Sequence, residues 1–294
     1  MFNKILLFTL AAFAAVRAAP APSGSLVTDK DILQYALTLE HLENAFYSTA
    51  LTQFDAKAFR VAGFSPDVRE RFVQIGKHEA AHVAFLSEAL GSTATEPCDY
   101  FFPSTDPRTF ATLSAILENA GVSAYAGAAH LITDPGYLTS AATILSVEAR
   151  HATWVQGNAI DSDPLPAPFD TPLPASEVLI LAFQFIVPFS CPSSNPQLPF
   201  DIQPFPTLAL SDDSPAPGAS IVAHVNGTDA SDRPAYVAWI SGSGVEYSEL
   251  GPNGETTVPH GMNGTIYALA VSKKNGGMPN TSNFRSGLAV VQIS

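Results

Sequence analysis

Two short stretches decide the fold of this chain: HEAAHVAFL at residues 78–86 and SVEARH at residues 146–151. Each contains a Glu followed three residues later by a His. Residues three apart in an α-helix lie on the same face, so each stretch places a carboxylate beside an imidazole. The chain has only seven histidines among 294 residues, and two such pairs are more than chance would give. The repeat therefore predicts a site that two helices build together.

Both Glu-x-x-His pairs fall on the apolar stripe of a long predicted helix, one over residues 66–90 and the other over about 135–158. A Ser-Pro step begins the first helix and an Asp-Pro step begins the second, and both steps are typical helix starts. A carboxylate on an apolar stripe is costly to bury unless it is paired or binds a metal ion. The two helices therefore predict a buried site rather than a solvated, charged face.

Two further predicted helices carry carboxylates on their apolar stripes. The first, over about residues 28–51, presents both Glu40 and Glu43, and the second, over about 107–132, presents Glu118. The order Glu, Glu-x-x-His, Glu, Glu-x-x-His is typical of di-iron and di-manganese carboxylate bundles. Four carboxylates neutralise two divalent ions, and oxygen-rich ligation with two imidazoles suits iron or manganese better than a closed zinc site.

Two tyrosines follow the isolated carboxylates at equal spacing. Tyr47 lies seven residues after Glu40, and Tyr125 lies seven residues after Glu118. Two helical turns place each hydroxyl on the face of its Glu, where it is able to hydrogen-bond a ligand or the partner carboxylate. We therefore expect Tyr47 and Tyr125 beside the metal ligands, and the spacing favours Glu40 over Glu43 as a ligand.

The other histidines and motifs predict no second site. His41 and His78 flank ligand positions, but a rotation of about 100° per residue is expected to turn them away from the site. The sequence contains no Ser-His-Asp motif and no Gly-rich phosphate loop. It carries 14 Lys and Arg against 27 Asp and Glu, without a basic cluster, which excludes nucleic acid as an expected partner.

The composition changes along the chain and predicts an α+β, multidomain architecture. A signal peptide is expected at residues 1–18, where a Lys and an apolar run precede a small-residue cleavage site. Beyond it, no apolar run is long enough to span a membrane. The order after the leader is a bundle of four long helices plus a fifth over about 175–186, together residues 28–190, then a proline-rich linker at 191–204. Short β-rich runs with sandwich-like spacing predict an immunoglobulin-like β-sandwich over residues 205–294, with Trp239 and Tyr267 as core or inter-sheet aromatics.

Cysteine usage and sequons agree with an oxidising, extracellular compartment. Cys98 and Cys191 are the only cysteines, neither lies near a metal-binding motif, and we expect them to form a disulfide. Asn226, Asn263 and Asn280 each begin an N-glycosylation sequon in the predicted sandwich.

The chain resembles the ferritin-like superfamily, and in particular secreted fungal ferritin-like proteins described as stress-response or late-sexual-development proteins. The matching stretches are LTLEHLENAFY at residues 37–47 and the two Glu-x-x-His stretches, and the resemblance covers about residues 28–186. It implies that the helical part is a ferritin-like bundle that binds two iron ions, with manganese as the alternative. The metal ligands that it implies are Glu40, Glu79, His82, Glu118, Glu148 and His151.

Three functions are compatible with such a site. The first is a redox enzyme that activates O₂ or a peroxide in stress or development, as an oxidase, peroxidase or catalase. The second is sequestration of metal without turnover, and the third is a cell-wall-associated glycoprotein with an inactive site. The fold hosts several chemistries, so the sequence names metal ions as partners but no substrate.

Overall fold

A computed structural model describes residues 27–293, except residues 201, 203, 213 and 227–232. The expected signal peptide at residues 1–18 lies outside the described residues. The helices are α1 (Asp29–Gln53), α2 (Ala56–Val61), α3 (Pro66–Leu90), α4 (Pro107–Ala128), α5 (Pro135–Ala159) and α6 (Ala175–Ala182). None of these helices is long and apolar enough to cross a membrane.

The long helices begin where the sequence places capping residues. Thr28 caps α1 in a reciprocal pair of hydrogen bonds with Asp31, and the side chain of Asp106 caps α4. Asp134 accepts hydrogen bonds from the first backbone N–H groups of α5. A proline occupies the first turn of α3, α4 and α5, where no hydrogen bond is lost. These local signals explain why the four long helices form as predicted.

Two parts of the helical region differ from the prediction. The short helix α2 was not predicted, and α6 ends at Ala182 rather than near Ile186. After Ala182 the chain forms single turns and then pairs with the loop before α4, where Phe101 donates a backbone hydrogen bond to Phe185. This tertiary pairing requires extended backbone, and it therefore ends the helix before the apolar pattern ends.

The four long helices pack as two pairs, α1 with α3 and α4 with α5, and α6 lies across α1 and α4. Nearly every residue of α4 is buried, whereas α3 and α5 each bury only one face. The covered side of the bundle is therefore the α1–α4 side, and α3 and α5 form the side that faces solvent.

The C-terminal part contains two antiparallel sheets. Their strands are β1 (Leu208–Leu210), β2 (Ser220–Val225), β3 (Tyr236–Ser241), β4 (Gly244–Glu249), β5 (Glu255–Thr257), β6 (Gly264–Val271) and β7 (Ala289–Ile293). The first sheet has the order β1-β2-β5 and the second the order β4-β3-β6-β7. Side chains from both sheets share one apolar core that includes Trp239. The predicted sandwich is confirmed.

The second sheet also packs against the helical bundle. Tyr267 on β6 points away from the sandwich core, and its hydroxyl lies 2.8 Å from Ser123 Oγ on α4. The same hydroxyl donates to the backbone carbonyl of Asn119 at 3.2 Å. Trp239 therefore lies between the sheets, as predicted, whereas Tyr267 joins the sandwich to α4.

A disulfide joins Cys98, in the loop before α4, to Cys191, which follows α6. Beside it, Val187 donates a backbone hydrogen bond to Asp99 at 2.9 Å, so two loops pair over the end of the bundle. The disulfide thereby ties the segment after α6 to the loop between α3 and α4. On the sandwich, the side chains of all three sequon asparagines are exposed.

We predict that replacing both Cys98 and Cys191 by Ser lowers the free energy of unfolding by up to about 4 kcal/mol. The bond closes a loop over a sequence separation of 93 residues, and an unfolded chain without it regains that conformational freedom. Urea denaturation of the variant and of the oxidised wild type measures the effect. The reduced wild type is the control, and we expect its stability to equal that of the variant. Two free thiols in the denatured, unreduced wild type would contradict the bond.

Candidate metal centre

Six side chains converge at the middle of the four long helices. They are Glu40 of α1, Glu79 and His82 of α3, Glu118 of α4, and Glu148 and His151 of α5. Each residue predicted as a ligand lies in this cluster. The four carboxylates are at most 1% exposed, and the His82 side chain is 11% exposed.

The six residues form two overlapping groups. Glu40 and His82 belong to the first group, Glu118 and His151 to the second, and both groups share Glu79 and Glu148. Within each group, the nitrogen and oxygen atoms that face inward lie within 4.8 Å of one another. Each half of the cluster thus has one terminal carboxylate and one imidazole, and two carboxylates lie between the halves.

Both imidazoles turn the same ring atom to the carboxylates. Nδ1 of His82 lies 3.2 Å from Glu40, 3.1 Å from Glu79 and 3.3 Å from Glu148. Nδ1 of His151 lies 3.0 Å from Glu79 and 3.1 Å from Glu118. His82 therefore contacts the carboxylate three residues before it on α3, whereas His151 contacts carboxylates of the neighbouring helices α3 and α4.

The two tyrosines hold the terminal carboxylates from opposite helices. Tyr125 of α4 donates a hydrogen bond to Glu40 of α1 at 2.5 Å. Tyr47 of α1 donates to Glu118 of α4, and its hydroxyl also lies 2.7 Å from Ser114 Oγ. The spacing allowed each Tyr to hydrogen-bond either a nearby ligand or the carboxylate of the partner helix. In the structure each Tyr hydrogen-bonds the carboxylate of the partner helix.

Glu43 lies beside the cluster but outside both groups. A Cβ atom at Gly121 would lie 3.1 Å from Glu43 Oε1 and 2.8 Å from Glu148 Oε2. The absence of a side chain at Gly121 therefore leaves room for both carboxyl groups against α4. Of the two carboxylates that α1 turns inward, Glu40 is the one that reaches an imidazole.

His78 contacts the cluster, contrary to the expectation that it points away. Its Nδ1 lies 2.9 Å from Nε2 of His151, and the two rings stack at 5.1 Å with an angle of 18°. The prediction failed because it considered rotation about α3 alone, whereas α5 brings His151 towards the edge of that helix. His41 does point away, and its Nε2 lies 2.9 Å from the carbonyl oxygen of Thr95.

Protons balance part of the buried negative charge. Burial alone would lower the pKa of both imidazoles, but the neighbouring carboxylates raise the pKa of His82 to about 12 and that of His151 to about 9. Burial would raise the pKa of Glu79, but its hydrogen bonds with the two histidines lower that pKa to about 2. Burial raises the pKa of Glu40 to about 7, and it raises the pKa values of Glu43 and Glu148 well above normal.

Three carboxylate oxygens in the cluster accept no well-aligned hydrogen bond. They are Oε1 of Glu79 and both oxygens of Glu148, and all three are buried. Buried polar atoms normally have a partner, so these three oxygens are available to a ligand from outside the cluster. Oxygen donors with two imidazoles match the preferences of iron and manganese. The cluster therefore fits a pair of metal ions.

The comparisons with known proteins agree with this geometry. Residues 28–159 match the family model of the ferritin-like domain. Protein rds1 of the yeast Schizosaccharomyces pombe (strain 972 / ATCC 24843) is 25% identical over 182 residues, which are 62% of this chain and 44% of that protein. The chain thus spans less than half the length of the curated relative that it matches. Residues 28–159, which carry all six candidate ligands, are therefore similar to a ferritin-like domain.

Proposed function

We propose that the buried cluster binds two divalent metal ions, iron or else manganese, and that the protein is secreted and redox-active towards O₂ or a peroxide. The observation that carries the proposal is the pair of overlapping groups that share Glu79 and Glu148. Carboxylates shared in this way belong to both halves of a di-metal centre. Their buried oxygens without aligned donors support the same assignment.

The side chains around the cluster have roles in this proposal. Glu40 and His82 would hold one ion, Glu118 and His151 would hold the other, and Glu79 and Glu148 would be available to both. A bound iron or manganese pair supplies electrons and Lewis acidity. Tyr125 and Tyr47 orient the terminal carboxylates, and the stacked ring of His78 fixes the orientation of a ligand imidazole.

The proposal for localisation rests on three features. The disulfide is typical of an oxidising compartment, and the exposed Asn226, Asn263 and Asn280 are accessible for glycosylation. The third feature is the signal peptide that the sequence predicts at residues 1–18. The resemblance to fungal proteins further leads us to propose a role in stress or development. We also propose that residues 205–294 form a separate unit that covers the bundle.

We predict two metal ions per chain after anaerobic loading with Fe²⁺, and at most one in the double variant His82→Ala with His151→Ala. Metal binding should stabilise the wild type by about 2.7 kcal/mol per site at a hundredfold excess over Kd, and it should not stabilise the double variant in this way. Mass spectrometry of metal content and thermal melts measure both effects. His41→Ala is the matched control, because His41 is half-buried on a neighbouring helix but lies outside the cluster. Equal metal content in the double variant and the wild type would refute the site.

We predict that Glu40→Gln removes metal whereas Glu43→Gln does not. The two carboxyl groups are buried on the same helix, but Glu40 faces an imidazole and the raised pKa of Glu43 keeps it protonated, so that Gln resembles it. The test is to load both variants with metal under identical conditions and to compare their metal content. Loss of metal in Glu43→Gln alone would assign the ligand position to Glu43.

We predict that metal binding at pH 7 releases protons and that metal affinity falls as the pH falls from 9 to 6. The pKa values of about 12 for His82 and about 9 for His151 mean that both imidazoles are protonated at pH 7 without metal. A ligating imidazole nitrogen must be deprotonated. Calorimetry in two buffers of different ionisation enthalpy measures the release, and a binding enthalpy independent of the buffer would contradict it.

A further inference from the structure

An apolar cavity lies between the four long helices, next to the metal centre. Ala36 of α1, Leu86 of α3, Ala128 of α4 and Ile144 of α5 contribute to its wall. The space open to the centre of a water-sized molecule is about 20 Å³, which is room for one small molecule. Among the residues that line the cavity, Tyr125 is the one to which the proposed function already gives a role.

The inner wall of the cavity is the ring of Tyr125. The hydroxyl of this residue donates its hydrogen bond to Glu40, so a single side chain separates the cavity from a candidate metal ligand. The outer wall includes the ring of Phe85, which is 43% exposed. The cavity therefore has one wall residue that is partly exposed to solvent and another that contacts the cluster.

The lining selects the occupant of the cavity. It consists almost entirely of carbon atoms, and a buried water molecule needs two to four polar partners. A peroxide has two O–H donors, and the mainly apolar wall offers few acceptors for them, so burying a peroxide here is costly. Small apolar molecules occupy dry cavities of this kind, as xenon does in proteins. Dioxygen is the apolar molecule of this size that the proposed redox site would use.

We infer that this cavity binds dioxygen and delivers it past Tyr125 to the metal centre, so that O₂ rather than peroxide is the oxidant. This inference rests on the proposed function and names its oxidant. Binding itself requires no metal, because the cavity walls are side chains of the helices. Binding of O₂ to the cavity is therefore testable in the metal-free protein.

The first experiment measures methyl relaxation by NMR in the metal-free full-length chain under oxygen pressure, since O₂ is paramagnetic. We expect the methyl groups of Ala36 and Ala128 to relax several-fold faster than that of Ala50. Ala50 is a matched control, because it is 3% exposed against 4% for Ala128 and lies at the opposite end of the bundle. Equal relaxation of the three methyl groups would overturn the inference, whatever the metal content of the protein.

The second experiment fills the cavity with Ala128→Val and uses Ala50→Val as its control. In the iron-loaded chain, we expect Ala128→Val to slow oxidation by O₂ several-fold and to leave metal content and oxidation by hydrogen peroxide unchanged. Equal slowing with both oxidants, or no slowing with O₂, would overturn the inference. A wild type that binds no metal refutes the proposed function instead, and methyl relaxation then still decides whether O₂ enters the cavity.

Discussion

The burial of carboxylates in the middle of one helical bundle is the constraint on which the rest of this structure depends. Five of them, Glu40, Glu43, Glu79, Glu118 and Glu148, are withdrawn from water. The ion pairs that they make within the described residues are all with histidine. Histidine supplies its charge conditionally, because a proton and a metal ion compete for the same nitrogen. The centre of the bundle is therefore neutralised in a way that changes with pH and with metal supply.

The candidate ligands were predictable because their positions follow from local rules. Spacing within one helix keeps Glu79 beside His82 wherever that helix packs, and the capping residues fix where each helix begins. A carboxylate on an apolar stripe must be paired or bind a metal ion if it is buried. Four such carboxylates with two imidazoles therefore predicted a metal site from the sequence alone. The sequence therefore predicted the helical fold, the sandwich and the set of residues in the cluster.

Features that depend on the approach of separate elements were not predictable in the same way. The contact of His78 with His151, for example, requires α5 to lie at one particular distance from α3. The contact of Tyr267 with α4 is a related case: β6 is covered on both faces, so its apolar residues do not alternate and the sequence does not mark which face meets the helices. These features are tertiary, and only packing decides them.

The disulfide divides the cluster between two parts of the chain. Glu40, Glu79 and His82 precede Cys98, whereas Glu118, Glu148 and His151 lie inside the covalent loop that Cys98 and Cys191 close. The bond and the packed helices thus hold the two triads opposite each other by means that need no ion. Because the side chains of the site are already held in place, the chain loses little conformational entropy when an ion binds there. A chain without these links would lose more. The fold with its disulfide thus supplies the geometry of the candidate site without the help of an ion.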